Sequence, residues 1–190
     1  YAYVIAYSDG TTSPSGDATN PKNCLIDNCQ ILGGYYGAYL YGGSSSSGPW
    51  PSGNEFTNNF IQGQYYYGMY MYYQDGAVVS GNTYDGSQAG STSHYGFMMY
   101  YSNNVQCTNN IVNNPGAYGY YLYYWNYYNT GIVSGRALFA NNSLHGNGTY
   151  AYGYGAYAYR ANTVDYVYNS FLYDGTFTTT YGVRAYYNND

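Results

Sequence analysis

Charge is what this sequence has least of. Only 7% of its 190 residues are Asp, Glu, Lys or Arg, and the basic ones are four: Lys22, Arg136, Arg160 and Arg184. Phosphate binding needs clustered Lys and Arg, so no nucleic-acid partner is expected, nor electrostatic docking on anionic lipid. Nine acidic residues give a net charge of −5 without a run that would mark an acidic tail. No stretch reaches the ~18 apolar residues of a membrane span. Cysteine is scarce too. Cys24, Cys29 and Cys107 are odd in number and lack metal-ligand spacing, so neither a disulfide framework nor a metal site is expected, and no motif implies a cofactor. The chain begins at Tyr1 without Met or signal peptide, and reads as a mature product, a processed chain or a fragment.

Tyrosine is what is there instead, at 35 positions, with 26 glycines. Disordered chains are rich in charge and poor in aromatics, and this one fails both criteria, so it should fold. A Tyr-Gly pair recurs at Gly37, Gly68, Gly96, Gly119, Gly155 and Gly182. One residue beyond each glycine stand Ala38, Met69, Phe97, Tyr120, Ala156 and Val183. Three beyond stand Leu40, Met71, Met99, Leu122, Ala158 and Ala185. Four beyond, tyrosine appears every time, at Tyr41, Tyr72, Tyr100, Tyr123, Tyr159 and Tyr186. Apolar residues alternating with tyrosine at period two describe a strand with one buried and one exposed face.

A second register centres on Asn59, Asn82, Asn110, Asn142 and Asn169, with Cys29 in the equivalent first place. Apolar rows flank it three residues before (Ile26, Phe56, Val79, Cys107, Phe139, Tyr166) and two after (Ile31, Ile61, Tyr84, Val112, Leu144, Phe171). The two rows are an odd number of residues apart, so both can face inward only if the chain bends between them. Asn tolerates the left-handed backbone of a tight bend, and its amide can bond local backbone, which places a corner there. Glycine-to-corner spacings of 22, 14, 14, 23 and 14 residues read as one fixed coil with two loop insertions.

These features resemble the right-handed parallel β-helix repeat proteins, the pectate-lyase-like superfamily, whose coils carry three strands and a stacked Asn at the second turn. The resemblance implies an all-β solenoid of about six coils with a minimum coil of about 22 residues. It runs over residues 22–190, with insertions near 42–53 and 125–135; residues 1–21 form a partial first coil or lead-in, in which Tyr1 to Tyr7 is the remnant of an earlier strand.

The family includes polysaccharide lyases and glycoside hydrolases, and hydrolysis needs carboxylates that converge. Asp85 and Asp174 fall after the third strand but three coils apart, ~14 Å at the usual strand spacing. Asp27 and Glu55 fall near the Asn corner in consecutive coils, without a nearby His or Arg. The His145-Gly146 pair is similar to that of a polygalacturonase-like site, but the companion acidic motifs are missing; His94 and His145 both read as turn residues. No catalytic constellation is found. The tyrosines remain. In-register stacking spaces them ~4.8 Å apart, either to stabilise a charge-poor solenoid or to offer π-faces and hydroxyls to another fibre or a polysaccharide. The expectation is a non-catalytic structural or adhesive segment of an extracellular or cell-surface fibre or stalk. It would associate end to end or continue into a longer chain, since exposed strand edges template pairing. The alternatives are a polysaccharide-binding module, a lyase or hydrolase fragment, and, in the absence of Thr-x-Thr rows, less favoured, an ice-binding solenoid.

Overall fold

A computed structural model describes residues 3–7, 21–43, 50–126, 135–146, 152–174 and 179–187. Half of the first expected insertion, 44–49, and the larger part of the second, 127–134, lie outside the described residues, as do Tyr1, Asp9, Asp17 and Asp190.

The strands follow a fixed cycle, opened by β1 (Tyr3–Tyr7). Each circuit then adds two short strands and one longer one. The first three circuits are β2 (Leu25–Asp27), β3 (Gln30–Leu32) and β4 (Tyr36–Tyr41); β5 (Glu55–Thr57), β6 (Phe60–Gln62) and β7 (Tyr67–Tyr72); and β8 (Val78–Ser80), β9 (Thr83–Asp85) and β10 (Tyr95–Tyr100). The next three are β11 (Gln106–Thr108), β12 (Ile111–Asn113) and β13 (Tyr118–Tyr123); β14 (Ala137–Ala140), β15 (Ser143–Gly146) and β16 (Tyr152–Tyr159); and β17 (Val164–Val167), β18 (Ser170–Tyr173) and β19 (Thr179–Tyr186). Every pairing is parallel and joins a strand to its counterpart one circuit away, giving one seven-stranded and two six-stranded sheets. β1 pairs with β4, so the early strand expected near the start of the chain is a full member of the first sheet.

The apolar rows face inward in register. Met69, Phe97 and Tyr120 are fully buried on the first sheet, Phe56, Val79 and Phe139 on the second, and Ile61, Tyr84 and Val112 on the third. Cys107 occupies the second row between Val79 and Phe139 as a fully buried small apolar residue. All three cysteines are free thiols. Tyr120, a phenol inside the first row, finds backbone for its hydroxyl: Oη lies 2.9 Å from Asn110 O and 3.1 Å from Ser143 O.

The corner between the second and third sheets is where the Asn column was expected, but the left-handed residue is the one before it. Asn28, Asn58, Gly81, Asn109, Asn141 and Tyr168 carry φ of 52° to 70°, while the corner Asn itself is not among the positive-φ residues. The division of labour has a physical reason: the αL residue turns the chain, which frees the next side chain to point inward and act as a bracket. Asn110 Oδ1 accepts from the backbone N–H and the side-chain amide of Asn82, both at 3.0 Å. Asn110 Nδ2 donates to Val79 O at 2.9 Å and to Asn142 Oδ1 at 3.0 Å. The same pattern links Cys29, Asn59, Asn82, Asn142 and Asn169.

Glycine explains how the tyrosine strands fit this frame. In β4, Tyr36 is half-buried while Gly37 and Ala38 are both buried, so the alternation breaks at the glycine. The register passes from Tyr36↔Tyr67 to Ala38↔Met69 without a glycine pair. A Cβ on Gly37 would lie 2.5 Å from Gly68 O, and one on Gly68 or Gly96 would lie 2.6 Å from the next glycine's oxygen. Only glycine permits that approach, and the break turns the preceding tyrosine outward.

Candidate functional site

The outer face of the first sheet is a lattice of tyrosine rings. The expected row is present: Tyr41, Tyr72, Tyr100, Tyr123, Tyr159 and Tyr186 stack with centroids 4.4–5.6 Å apart. From Tyr41 to Tyr159 the planes lie within 12° of parallel. Two further columns were not read from the sequence. Tyr3 and the six tyrosines that precede the glycines (Tyr36, Tyr67, Tyr95, Tyr118, Tyr154, Tyr181) form a ladder of seven rings spaced 4.8–5.4 Å. Tyr73, Tyr101 and Tyr124 form another at 5.3 and 4.7 Å, each with φ between 47° and 57°. Left-handed backbone costs an L-residue roughly 1–2 kcal/mol, and ring stacking recovers a similar amount per pair. The doublets Tyr72-Tyr73, Tyr100-Tyr101 and Tyr123-Tyr124 were the available signal.

Between the outer ladders runs a middle column, Tyr39–Tyr70 at 5.3 Å and Tyr121–Tyr157 at 5.2 Å, interrupted by Met98. Edge-to-face contacts tie it sideways, as in Tyr36–Tyr39 (5.1 Å, 76°) and Tyr118–Tyr121 (4.9 Å, 90°). Arginine replaces tyrosine near the far end. Arg184 succeeds Tyr157 in the middle column, 5.3–5.9 Å from the ring centroids of Tyr154, Tyr157, Tyr181 and Tyr186. Arg160 lies 5.4–5.8 Å from those of Tyr124, Tyr159 and Tyr187.

This geometry corrects one expectation. A ring inside a ladder has a neighbour against each face, so the solenoid presents ring edges and hydroxyls to solvent, not the flat π-surface anticipated for sugar rings. Tyr41 is buried, and Tyr72, Tyr100, Tyr123 and Tyr159 are half-buried. Hydroxyls of neighbouring rings come close enough to influence one another: Tyr72 and Tyr73, Tyr100 with Tyr101 and Tyr123, Tyr123 and Tyr124, Tyr186 and Tyr187. Burial, then the neighbouring phenols, pushes Tyr70 up to about 12. Burial, then the Tyr124 hydrogen bond, does the same for Tyr123. Burial first, then the phenols around them, raises Tyr67, Tyr100 and Tyr121 further still, so the lattice is uncharged at neutral pH.

The carboxylates are dispersed. Asp27 and Glu55 lie on the adjacent strands β2 and β5, with Asp27 aligned to Thr57 and Glu55 to Leu25; Asp27 accepts from Thr57 Oγ1 at 2.7 Å and Asn58 Nδ2 at 2.8 Å. Asp85 ends β9 and accepts from Ser87 N at 3.0 Å and Gln62 Nε2 at 2.9 Å. Burial opposes its charge, but hydrogen bonds from Ser87, Gln62 and Asn114 outweigh that and hold the carboxyl below its usual range. His145 is a strand residue, not a turn residue: it lies outward on β15, and its Nε2 is 3.1 Å from Asp174 Oδ2. A strand separates it from Asp85, because the register runs Asp85↔Asn113↔His145. His94 precedes β10 and uses both ring nitrogens on backbone, 2.6 Å from Ser91 O and 2.9 Å from Asn114 O. It thereby fastens the wall of a surface hollow of about 340 Å³ lined also by Gly86, Ser87 and Gly116. Among the described residues no group of three or more His, Cys, Asp or Glu could hold a metal ion, and no helix is long and apolar enough to cross a membrane.

Three parallel sheets, an inward Asn column and a repeated circuit define a parallel β-helix. The family model described as "Right handed beta helix region" matches residues 9–172, and the chain belongs to that family. No curated protein and no solved structure gives a significant match.

Proposed function

We propose that this chain is a non-catalytic structural or adhesive segment of an extracellular or cell-surface protein, a length of fibre or stalk whose tyrosine lattice stiffens it. The observation that carries this reading is the near-parallel stacking of the Tyr41–Tyr159 ladder, in which ring faces are spent on one another. Parallel sheets are ordinarily covered on both faces, usually by helices. Here stacked phenols supply that cover without charge. The last circuit among the described residues fits the same role. β17, β18 and β19 are the last strands of their sheets, and inward-row Val183 is 47% exposed. Further strands, from a second copy or a continuing chain, would satisfy that edge.

The discriminating experiment is to incubate the protein with a panel of neutral and acidic polysaccharides, measuring retention and chain cleavage. Neither is expected above that of a control protein. Cleavage abolished by Asp85→Asn or Asp174→Asn would replace this reading with a polysaccharide-degrading enzyme, and retention lost on Tyr→Ala change along the ladder would replace it with a binding module.

A further inference from the structure

The lattice also has the geometry of a redox relay. Its rings are in van der Waals contact along the solenoid axis for the length of the first sheet, at 4.8–5.4 Å in the Tyr3–Tyr181 ladder. Removing an electron from a phenol makes its O–H strongly acidic, so a relay needs a proton acceptor at each stop as well as ring overlap. Solvent can supply it at half-buried rings such as Tyr72, Tyr123 and Tyr159, and adjoining phenols can where Tyr100 meets Tyr101 and Tyr123.

We propose that the tyrosine face carries one-electron oxidising equivalents along the solenoid as neutral tyrosyl radicals passed from ring to ring. In each step the radical gains an electron through the stacked rings and a proton from water or an adjoining hydroxyl, and the ring that gave the electron releases its own proton in the same way. It becomes a phenol and leaves the radical one ring further on. Nothing is consumed between the ends. The first electron goes to an outer-sphere one-electron oxidant of the trivalent metal-polypyridyl class, and the first proton to water.

The lattice is wide except at one strand. β10 has Met98 where β7 has Tyr70 and β13 has Tyr121. Aromatic contacts across it run through Tyr95 (to Tyr67 and Tyr118), Tyr100 (to Tyr72 and Tyr123) and Tyr101 (to Tyr73 and Tyr124). The parallel route inside the core passes through Phe97, which has no hydroxyl to lose and is far harder to oxidise. β10 is therefore the waist of the relay. Phenylalanine there keeps every ring but removes every O–H.

The test places a ruthenium polypyridyl on a thiol at one end, using Tyr187→Cys with Cys24→Ser and Cys29→Ser; Cys107 is buried and stays unlabelled. The complex is photo-oxidised by an irreversible cobalt(III) acceptor, radicals are captured with a spin trap, and adducts are mapped by peptide mass spectrometry. Adducts are expected on the near side (Tyr154, Tyr159) and on the far side (Tyr36, Tyr41, Tyr67, Tyr72). Tyr95→Phe/Tyr100→Phe/Tyr101→Phe should lower the far-side yield by at least an order of magnitude and leave the near side unchanged. Met98→Tyr, which closes the gap in the middle column, should raise it. Far-side adducts that are absent in the parent, that rise with protein concentration, or that are indifferent to both changes would overturn the relay.

Discussion

Tyr100 and Tyr123 lie one circuit apart with ring centroids 4.4 Å from each other and planes 5° from parallel. Tyr72 lies on the other face of Tyr100 at 5.0 Å. Such pairs contribute about 0.5–1.5 kcal/mol each beyond area burial, so Tyr100→Ala should cost about 1–3 kcal/mol. Tyr100→Phe keeps both stacks and loses only hydroxyl bonds, at about 0.5–1.5 kcal/mol. Urea unfolding of the two variants checks the ordering.

The glycine column makes a sharper contrast. Gly96→Ala puts a methyl 2.6 Å from Gly119 O, a backbone atom held by sheet pairing on both sides. It should cost about 3 kcal/mol or prevent folding. At Gly182 the nearest atom to the added carbon is Phe171 Cδ2 at 3.9 Å. There, Ala should be neutral or stabilise by up to about 1 kcal/mol through the unfolded chain. Equal melting temperatures for the two variants would show that the close approach is not what selects glycine.

In the corner, Asn110 is fully buried and satisfies two donors of Asn82 and the carbonyl of Val79. Asn110→Ala strands the backbone N–H of Asn82 and takes one donor from Val79 O, while the Asn82 amide keeps Phe56 O at 2.7 Å; the loss should be about 1–3 kcal/mol. The loss should exceed that of Asn169→Ala, whose site is partly exposed. Thermal unfolding of the two variants measures the difference.

Much of this was legible in the chain. The Ala38-Tyr39-Leu40-Tyr41 alternation specifies a strand and its faces, and the odd spacing from Phe56 to Ile61 demands the bend at Asn59. The column of Tyr36, Tyr67 and Tyr95 was not legible, because strict alternation sends the residue before each glycine inward. Only the close approach of successive glycine backbones, a relation between circuits, reverses it. Tyr73, Tyr101 and Tyr124 escaped for a related reason: tyrosine is not a residue expected at positive φ, and stacking on like neighbours is what holds it there. Ring orientation, which decides whether faces or edges meet solvent, depends on side-chain torsions that period and parity do not carry.

Raised phenol pKa values make stability sensitive to alkali. Tyr70 and Tyr123 stand at about 12 in the fold, with burial the leading cause, against about 10 for a tyrosine in the unfolded chain. Below about pH 10 both states are protonated and the full stability is present. Above it the unfolded chain releases protons that the folded one keeps, so stability falls as pH rises through the folded values. Tyrosinate absorbance should appear together with loss of the β-sheet circular dichroism signal. Gradual ionisation of an intact fold would show the phenols to be open to solvent.

The most direct measurement is the unfolding free energy of a chain in which three successive ladder rings are removed, Tyr72→Ala/Tyr100→Ala/Tyr123→Ala. If the lattice holds the solenoid together, the triple change removes four stacking contacts and should cost about 2–6 kcal/mol, less than the sum of the single changes, which counts the two inner contacts twice. A triple variant as stable as the parent, altered only in what it binds, would contradict a structural ladder.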